Sequence, residues 1–161
     1  MKQILFIRHA KSDWSVSGQE DFDRSLNERG CSDMPGVIQR VTERAIQLDQ
    51  ISSSPAVRAR TTATILAEGL SLPEPDLIDS LYLAAQSDWL QVIHALPSSM
   101  NSVGLCGHNP GITEVVESFS SQRIGNLPTA GLALIQFDET SWSTIDWGSG
   151  KLAWLDYPKL H

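Results

Sequence analysis

Two histidines and two arginines stand at positions where they could handle a phosphoryl group. Arg8 and His9 are adjacent near the start of the chain, Arg58 lies four residues after Ser54, and His108 follows a glycine. An arginine guanidinium offers a planar fork of donors to phosphoryl oxygens and stays charged at any relevant pH. Either imidazole could attack phosphorus, provided that a hydrogen bond fixes its other nitrogen. The four residues therefore indicate an anion site that works through a covalent phosphohistidine.

Each of these residues follows a segment that reads as a buried β-strand. The β-branched and aromatic pattern predicts strands at Gln3–Ile7, Gln50–Ser53 and Ser102–Cys106. Parallel strands end at one edge of their sheet, and α/β sheets bind ligands at that edge. We therefore expect the three strand ends to converge on one site.

Helical patterns separate the strands, which predicts a mainly parallel sheet covered on both faces. The fold class is then α/β, a three-layer α/β/α sandwich, and the length fits one domain over residues 1–161. Predicted helices run from Asn27 to Ile46, from Ser54-Pro55 with the proline in the first turn, from Asp88 to Leu96 and from about Ile112 to Phe119. Predicted C-terminal strands are Leu132–Phe137, Ser143–Trp147 and Lys151–Leu155, the last two joined as a hairpin at Gly148-Ser149-Gly150.

The composition excludes several classes of partner. A net charge of −7 without a dense Lys/Arg run argues against binding to nucleic acid or to an anionic membrane surface. No apolar stretch is long enough to span a bilayer, and the N-terminus lacks the apolar region of a signal peptide, so we expect a cytoplasmic protein. Cys31 and Cys106 are too few for a disulfide framework and are interpreted as packing residues.

Other phosphate chemistries lack the residues that they need. The chain has no Gly-x-x-x-x-Gly-Lys loop for a nucleotide. A cysteine phosphatase has an arginine six positions after its cysteine, but Val37 and Ile112 stand at those positions here. With no His-x-x-x-His or Cys-x-x-Cys, we predict neither a metal nor a cofactor.

Five segments of the chain resemble a known family. Leu5–Ala10 (LFIRHA) is similar to the signature of the histidine phosphatase superfamily, which is related to the phosphoglycerate mutases. The similarity continues, in order and over nearly the whole length, into the SixA-type phosphohistidine phosphatase branch. It is carried by Asp21–Gly30, Ser54–Ala59, Cys106–Gly111 and Trp154–Leu160.

The resemblance implies a role for each matching residue. It makes His9 the nucleophile and assigns Arg8, Arg58 and His108 to the phosphoryl group, with Arg24 reaching in from the long loop after the first strand. It also implies a phosphoglycerate mutase-like fold and catalysis without metal. Phosphate would pass first to His9 and then to water, with inorganic phosphate as the product.

The leaving group is suggested by a missing acid. Mutase-like branches of the family place a glutamate after the third strand to protonate an alcohol, whereas Leu81–Ser87 contains no acid here. An imidazole, whose conjugate acid has a pKa near ~6.5, leaves far more easily than an alkoxide. We therefore predict a protein phosphohistidine as substrate, with Asp79 or Asp88 as possible proton donors.

The resemblance to the SixA type implies a phosphohistidine-bearing partner such as a phosphotransfer domain. Two alternatives stay open. One is a small-molecule phosphomonoesterase or phosphoramidase of the same superfamily. The other is a non-catalytic phosphohistidine-binding module, which the presence of His9, Arg58 and His108 disfavours.

Overall fold

A six-stranded sheet forms the middle layer of the structure, a computed structural model that describes residues 1–161. The strands in chain order are β1 (Lys2–Arg8), β2 (Gln50–Ser53), β3 (Asp76–Leu77), β4 (Ser102–Gly107), β5 (Leu132–Phe137) and β6 (Gly150–Asp156). Across the sheet they lie in the order β3-β2-β4-β1-β5-β6. Strands β1 to β4 are parallel to one another, and β5 is antiparallel to both β1 and β6. Five strands thus point one way, as a mainly parallel sheet requires.

Helices cover both faces of this sheet. They are α1 (Glu28–Glu43), α2 (Val57–Gly69), α3 (Gln86–His94) and α4 (Gly111–Ser120). In β1, Leu5 and Ile7 are buried against α1 and α2, whereas Ile4 and Phe6 are buried in the cluster that contains α3 and α4. This alternation of side chains divides the core into two layers and confirms the predicted α/β/α sandwich. None of the helices has the length and apolar character that a bilayer crossing requires.

The start of α1 depends on a cap and on a close backbone contact. The side chain of Asn27 accepts a hydrogen bond from the Gly30 N–H at 2.8 Å, which makes Asn27 the predicted N-cap. A Cβ at Gly30 would lie only 2.2 Å from the carbonyl oxygen of Lys11, so this position needs glycine. The helix ends at Glu43, because Ala45 has a φ of 56° and leaves the helical conformation. The predicted continuation to Ile46 was therefore too long.

Two further sequence predictions of local structure were wrong. The helix predicted to include Pro55 in its first turn begins at Val57, because its N-cap Ala56 has extended backbone with ψ of 138°. The strand predicted at Ser143–Trp147 is instead a short 3-10 helix at Trp142–Thr144. Trp142 is buried there, and its indole donates to the Pro97 and Met100 carbonyls at 3.1 and 2.9 Å. Burial of this large ring overrides the local strand propensity.

The C-terminal strands consequently pair differently from the sequence prediction. Strand β6 pairs with β5 and not with residues 143–147. The two-residue strand β3 was not located from the sequence, since Asp76–Leu77 is too short to show an alternating pattern. Neither difference affects the edge of the sheet where β1, β2 and β4 end.

Candidate active site

The ends of three parallel strands meet at one cavity. His9 follows β1, His108 follows β4, and Arg58 lies in the first turn of the helix after β2. The ring centroids of His9 and His108 are 5.1 Å apart. A cavity of about 780 Å³ is lined by both histidines together with Arg8, Arg24 and Arg58. The structure thus brings together the two histidines and three arginines that the sequence analysis singled out.

His9 is fixed in one orientation by a backbone carbonyl. Its Nδ1 lies 2.8 Å from the oxygen of Ala10, which can only accept, so Nδ1 carries the proton and donates it. Nε2 is then the nitrogen with a free lone pair. The Ala10 backbone is itself held, because its N–H donates to Oγ1 of Thr62 at 2.9 Å, and that hydroxyl donates to the Arg58 carbonyl at 2.8 Å. Thr62 therefore links the backbone beside His9 to the start of α2.

Burial keeps both histidines of the cavity neutral. Loss of hydration is the main cause that lowers the pKa of His9 to about 4; the charges of Arg58, Arg8 and Arg24 act in the same direction, and the hydrogen bond to Ala10 opposes them. The pKa of His108 is lowered to about 3, first by burial and then by His9 and Arg58. Nε2 of His108 lies 2.8 Å from the Ser54 hydroxyl. At neutral pH, His9 is an uncharged imidazole with the lone pair that nucleophilic attack needs.

The arginines are positioned by contacts with backbone and side-chain oxygens. Arg8 donates from Nη1 to the Leu127 carbonyl at 2.9 Å. Arg58 donates from Nη1 to the backbone carbonyl of Asp21 at 2.7 Å and from Nη2 to its carboxylate at 3.0 Å. Arg24 contacts the other oxygen of that carboxylate from Nε and Nη2, at 3.2 and 3.1 Å, and also donates to the Ser12 hydroxyl. Three guanidinium groups with this anchoring form a cationic cavity that fits a phosphoryl group.

Sequence comparison assigns the chain to a family. The model of the "Histidine phosphatase superfamily (branch 1)" matches residues 4–81. An uncharacterised protein of Picosynechococcus sp. is 31% identical over 137 residues, which are 81% of this chain and 82% of that protein. The chain belongs to the histidine phosphatase superfamily. As a member, it is a hydrolase of the phosphatase class.

Structural comparison extends the match beyond residue 81. SixA from Agrobacterium tumefaciens is 28% identical and superposes with a TM-score of 0.84, covering 98% of both chains. The protein histidine phosphatase SixA in complex with tungstate superposes with the same TM-score of 0.84 at 20% identity, again over 98% of both chains. Within the histidine phosphatase superfamily, the chain falls in the SixA-type branch.

The acids suggested as proton donors lie away from the cavity of this histidine phosphatase. The carboxylate of Asp88 accepts from the Ala85 N–H at 2.8 Å and so caps α3, while Asp79 does not line the cavity. The carboxylates that line it are those of Asp21 and Glu114. No group of three or more His, Cys, Asp or Glu side chains is arranged to hold a metal ion.

The sequence did not indicate the role of Asp21. Its side chain accepts from the hydroxyl of Tyr82 at 2.7 Å as well as from Arg58 and Arg24. The Tyr82 hydrogen bond, and then the two guanidinium groups, lower the pKa of Asp21 to about 2, so it is ionised. Asp21 lies in a segment that matches the SixA type, but charge alone argues against an acid in an anion site. Only the fold shows that the two arginines converge on it.

A second residue missed from the sequence is Trp14. Its ring lies 3.5 Å from the guanidinium carbon of Arg24, although the residue is 77% exposed. A tryptophan in a long polar loop carries no periodic signal, because the loop has neither helix nor strand spacing.

Proposed function

We propose that the protein hydrolyses the N–P bond of a phosphohistidine on another protein. The carrying observation is that His9 is a neutral imidazole, fixed through Nδ1 by the Ala10 carbonyl, inside a cavity lined by three arginines. Nε2 of His9 attacks phosphorus, and the electron pair of the breaking N–P bond leaves with the substrate ring, which departs as neutral imidazole because its other nitrogen carries a proton. Water then attacks the phosphorylated His9, which releases inorganic phosphate and regenerates the imidazole.

The arginines stabilise the charge of the transferring phosphoryl group. Arg8 ends β1 and Arg58 lies in the first turn of α2, while Arg24 approaches from the loop. Preorganised donors of this kind act on the charge that develops in the transition state, and each is worth roughly 10²–10³ in rate. His108, neutral and 5.1 Å from His9 between ring centroids, supplies a further imidazole to the phosphoryl oxygens.

The substrate class is inferred from the protonation of Asp21. Because the pKa of Asp21 is about 2, this carboxylate has no proton to give to a leaving group near neutral pH. An alkoxide needs such a donor at its oxygen, whereas a phosphohistidine leaves as neutral imidazole once its other ring nitrogen is protonated, and solvent can supply that proton to a ring with a pKa of about 6.5. The chemistry of the cavity therefore favours a phosphoramidate bond over a sugar phosphate.

A protein substrate is supported by exposed apolar side chains around the cavity. Trp14 and Leu83 line it and are 77% and 80% exposed. Phe22 is 38% exposed and packs edge-on against Tyr82 with the ring centroids 5.2 Å apart. Exposed apolar groups beside a polar cavity are typical of interaction sites. We propose a phosphotransfer domain or similar cytoplasmic phosphoprotein as the partner.

One observation favours a second candidate, a small-molecule phosphomonoesterase. Glu114 lines the cavity, is exposed and has no hydrogen-bond partner in the protein. A carboxyl group there could protonate an alcohol. Glu114→Gln tests this alternative: loss of sugar-phosphate turnover together with unchanged phosphohistidine turnover would assign Glu114 to alcohol leaving groups.

The nucleophile is tested by His9→Ala, with His161→Ala as a control that removes an exposed imidazole outside the cavity. Turnover of a phosphohistidine peptide and of sugar phosphates is measured, together with acid-labile radiolabel on the enzyme. We expect His9→Ala to lose turnover and label, and His161→Ala to keep both. Full activity in His9→Ala, or faster turnover of sugar phosphates by the native protein, would contradict the proposal.

A further inference from the structure

The cationic cavity already contains an anion that belongs to the protein. Both carboxylate oxygens of Asp21 are used: Oδ1 accepts from Arg24 at 3.1 and 3.2 Å, and Oδ2 accepts from Arg58 at 3.0 Å and from Tyr82 at 2.7 Å. The backbone carbonyl of Asp21 takes the remaining terminal nitrogen of Arg58 at 2.7 Å. One residue thus accepts a hydrogen bond from each terminal nitrogen of Arg58.

A phosphoryl group needs the same donors. Nη1 and Nη2 of Arg58 each have two N–H groups and each donates one of them to Asp21, so only the remaining N–H groups of Arg58 are available to a phosphoryl group while Asp21 is in place. Nε of Arg58 is buried without a protein partner. Arg24 directs two of its three nitrogens to the same carboxylate and the third to Ser12. Full engagement of both arginines by a phosphoryl group therefore requires that the carboxylate of Asp21 withdraw.

We propose that Asp21 is a specificity-determining residue that acts as an internal competitor. Its carboxylate occupies the anion site when no substrate is bound, and a phosphoryl group must displace it. This inference rests on the proposed function, since it assigns a partner to the phosphate-binding arginines of that site.

Withdrawal of Asp21 is compatible with its place in the fold. Asp21 belongs to a three-residue 3-10 helix, and its side chain is 47% exposed. The loop that carries it is closed at its base by two backbone hydrogen bonds, Asp13 N–H to Ser25 at 2.8 Å and Asn27 N–H to Lys11 at 3.0 Å. The tip can therefore move outward while the base, and β1 behind it, keeps its position.

Competition of this kind selects among anions. A carboxylate ligand would make the same hydrogen bonds with the two arginines as the carboxylate of Asp21. Because Asp21 is part of the chain, it has a high effective concentration and wins this competition. A phosphoryl dianion brings three strong acceptor oxygens and a higher charge. Carboxylates, such as acidic side chains of a partner protein, should thus be excluded, whereas phosphoryl groups are admitted.

The test compares Asp21→Asn with Asp23→Asn. Both variants remove one negative charge from the same 3-10 helix, but the carboxylate of Asp23 makes no ion pair or hydrogen bond with the arginines. Binding of inorganic phosphate and of acetate to the full chain is measured by calorimetry. Without the Asp21 carboxylate, a larger fraction of the molecules has an anion site that is free to bind phosphate. We therefore expect roughly five- to twentyfold tighter phosphate binding in Asp21→Asn. We expect no measurable acetate binding to the native protein and measurable acetate binding to Asp21→Asn.

A second variant grades the effect. Tyr82→Phe removes the hydroxyl that donates to Asp21 and should tighten phosphate binding by a smaller factor than Asp21→Asn. Asp23→Asn should bind phosphate like the native protein. Equal or weaker phosphate binding in Asp21→Asn than in Asp23→Asn would overturn the inference and would make Asp21 a residue that positions the arginines. Turnover that persists through His9 would in that case leave the proposed function intact, whereas a native protein that binds no phosphate would overturn both.

Discussion

The two sides of the cavity are built differently. On the sheet side, Arg8 ends β1 and His9 follows it, and both side chains are hydrogen-bonded to backbone carbonyls. Arg58 lies buried in the first turn of α2. On the loop side, Arg24 is held mainly by side chains, those of Asp21 and Ser12, and Trp14 covers it. The sheet side therefore fixes where the reacting atoms lie, and the loop side adjusts how strongly an anion is held.

The largest expected contrast is between the arginines of the two sides. Arg58→Ala should lower kcat/KM by roughly 10²–10³, the usual loss when a preorganised donor to the transition state is removed. Arg24→Ala should cost less, on the order of tenfold, because its donors sit on a loop and are less rigidly aimed. Steady-state kinetics on a phosphohistidine peptide measure both. If Arg24→Ala were as damaging as Arg58→Ala, the distinction between the two sides would be lost.

A second contrast lies in how the two sides respond to acid. The pKa of His9 is lowered from 6.5 to about 4, whereas that of Asp21 is lowered to about 2. As the pH falls, His9 on the sheet side is therefore protonated before Asp21 on the loop side. An unfolded chain protonates His9 below about pH 6.5, and the folded state resists protonation until about pH 4. The stability contribution of neutral His9 is thus complete above pH 6.5 and is lost as the pH falls through this window. Between pH 7 and pH 5 the loss is about 2 kcal/mol from this group.

Urea unfolding of the native protein and of His9→Ala at pH 7 and pH 5 measures this difference. We expect the native protein to lose more free energy of unfolding than the variant, and NMR titration of His9 to show a midpoint near the lowered pKa. Asp21→Asn should leave that midpoint in place. An unshifted His9 that titrates like a solvated imidazole would show that the ring is not held in the buried position described above.

The sequence was sufficient to predict the sheet side. Short β-branched runs that end in Arg8-His9, in Ser54 and in His108 predict strands and their common edge, because parallel strands align their carboxyl ends. The family motif also led to Arg24. These predictions depend on local patterns and on a general property of α/β sheets, so they hold without knowledge of the packing.

The loop side could not be predicted in the same way. The pairing of Asp21 with Arg58 and Tyr82 joins residues that are 37 and 61 positions apart, and no periodicity connects them. Similarly, the burial of Trp142 decides that residues 142–144 form a 3-10 helix, and this depends on the carbonyls of Pro97 and Met100. Contacts of this type are properties of the folded chain and become visible only in the structure.

The smallest expected effect separates the two roles of the loop side, holding an anion and contacting a partner. Trp14 packs on Arg24, so Trp14→Ala should weaken inorganic phosphate binding by about two- to fivefold, since an exposed cation–π contact is worth about 0.5–1 kcal/mol. Leu83→Ala is the matched control, because Leu83 is equally exposed beside the cavity but contacts no arginine through an aromatic ring. It should leave phosphate binding unchanged and weaken only binding of a phosphoprotein. Calorimetry with phosphate and with a phosphotransfer domain measures anion binding and partner binding separately. Weakened phosphate binding in Leu83→Ala would show that these two roles are not separable on the loop side of the cavity.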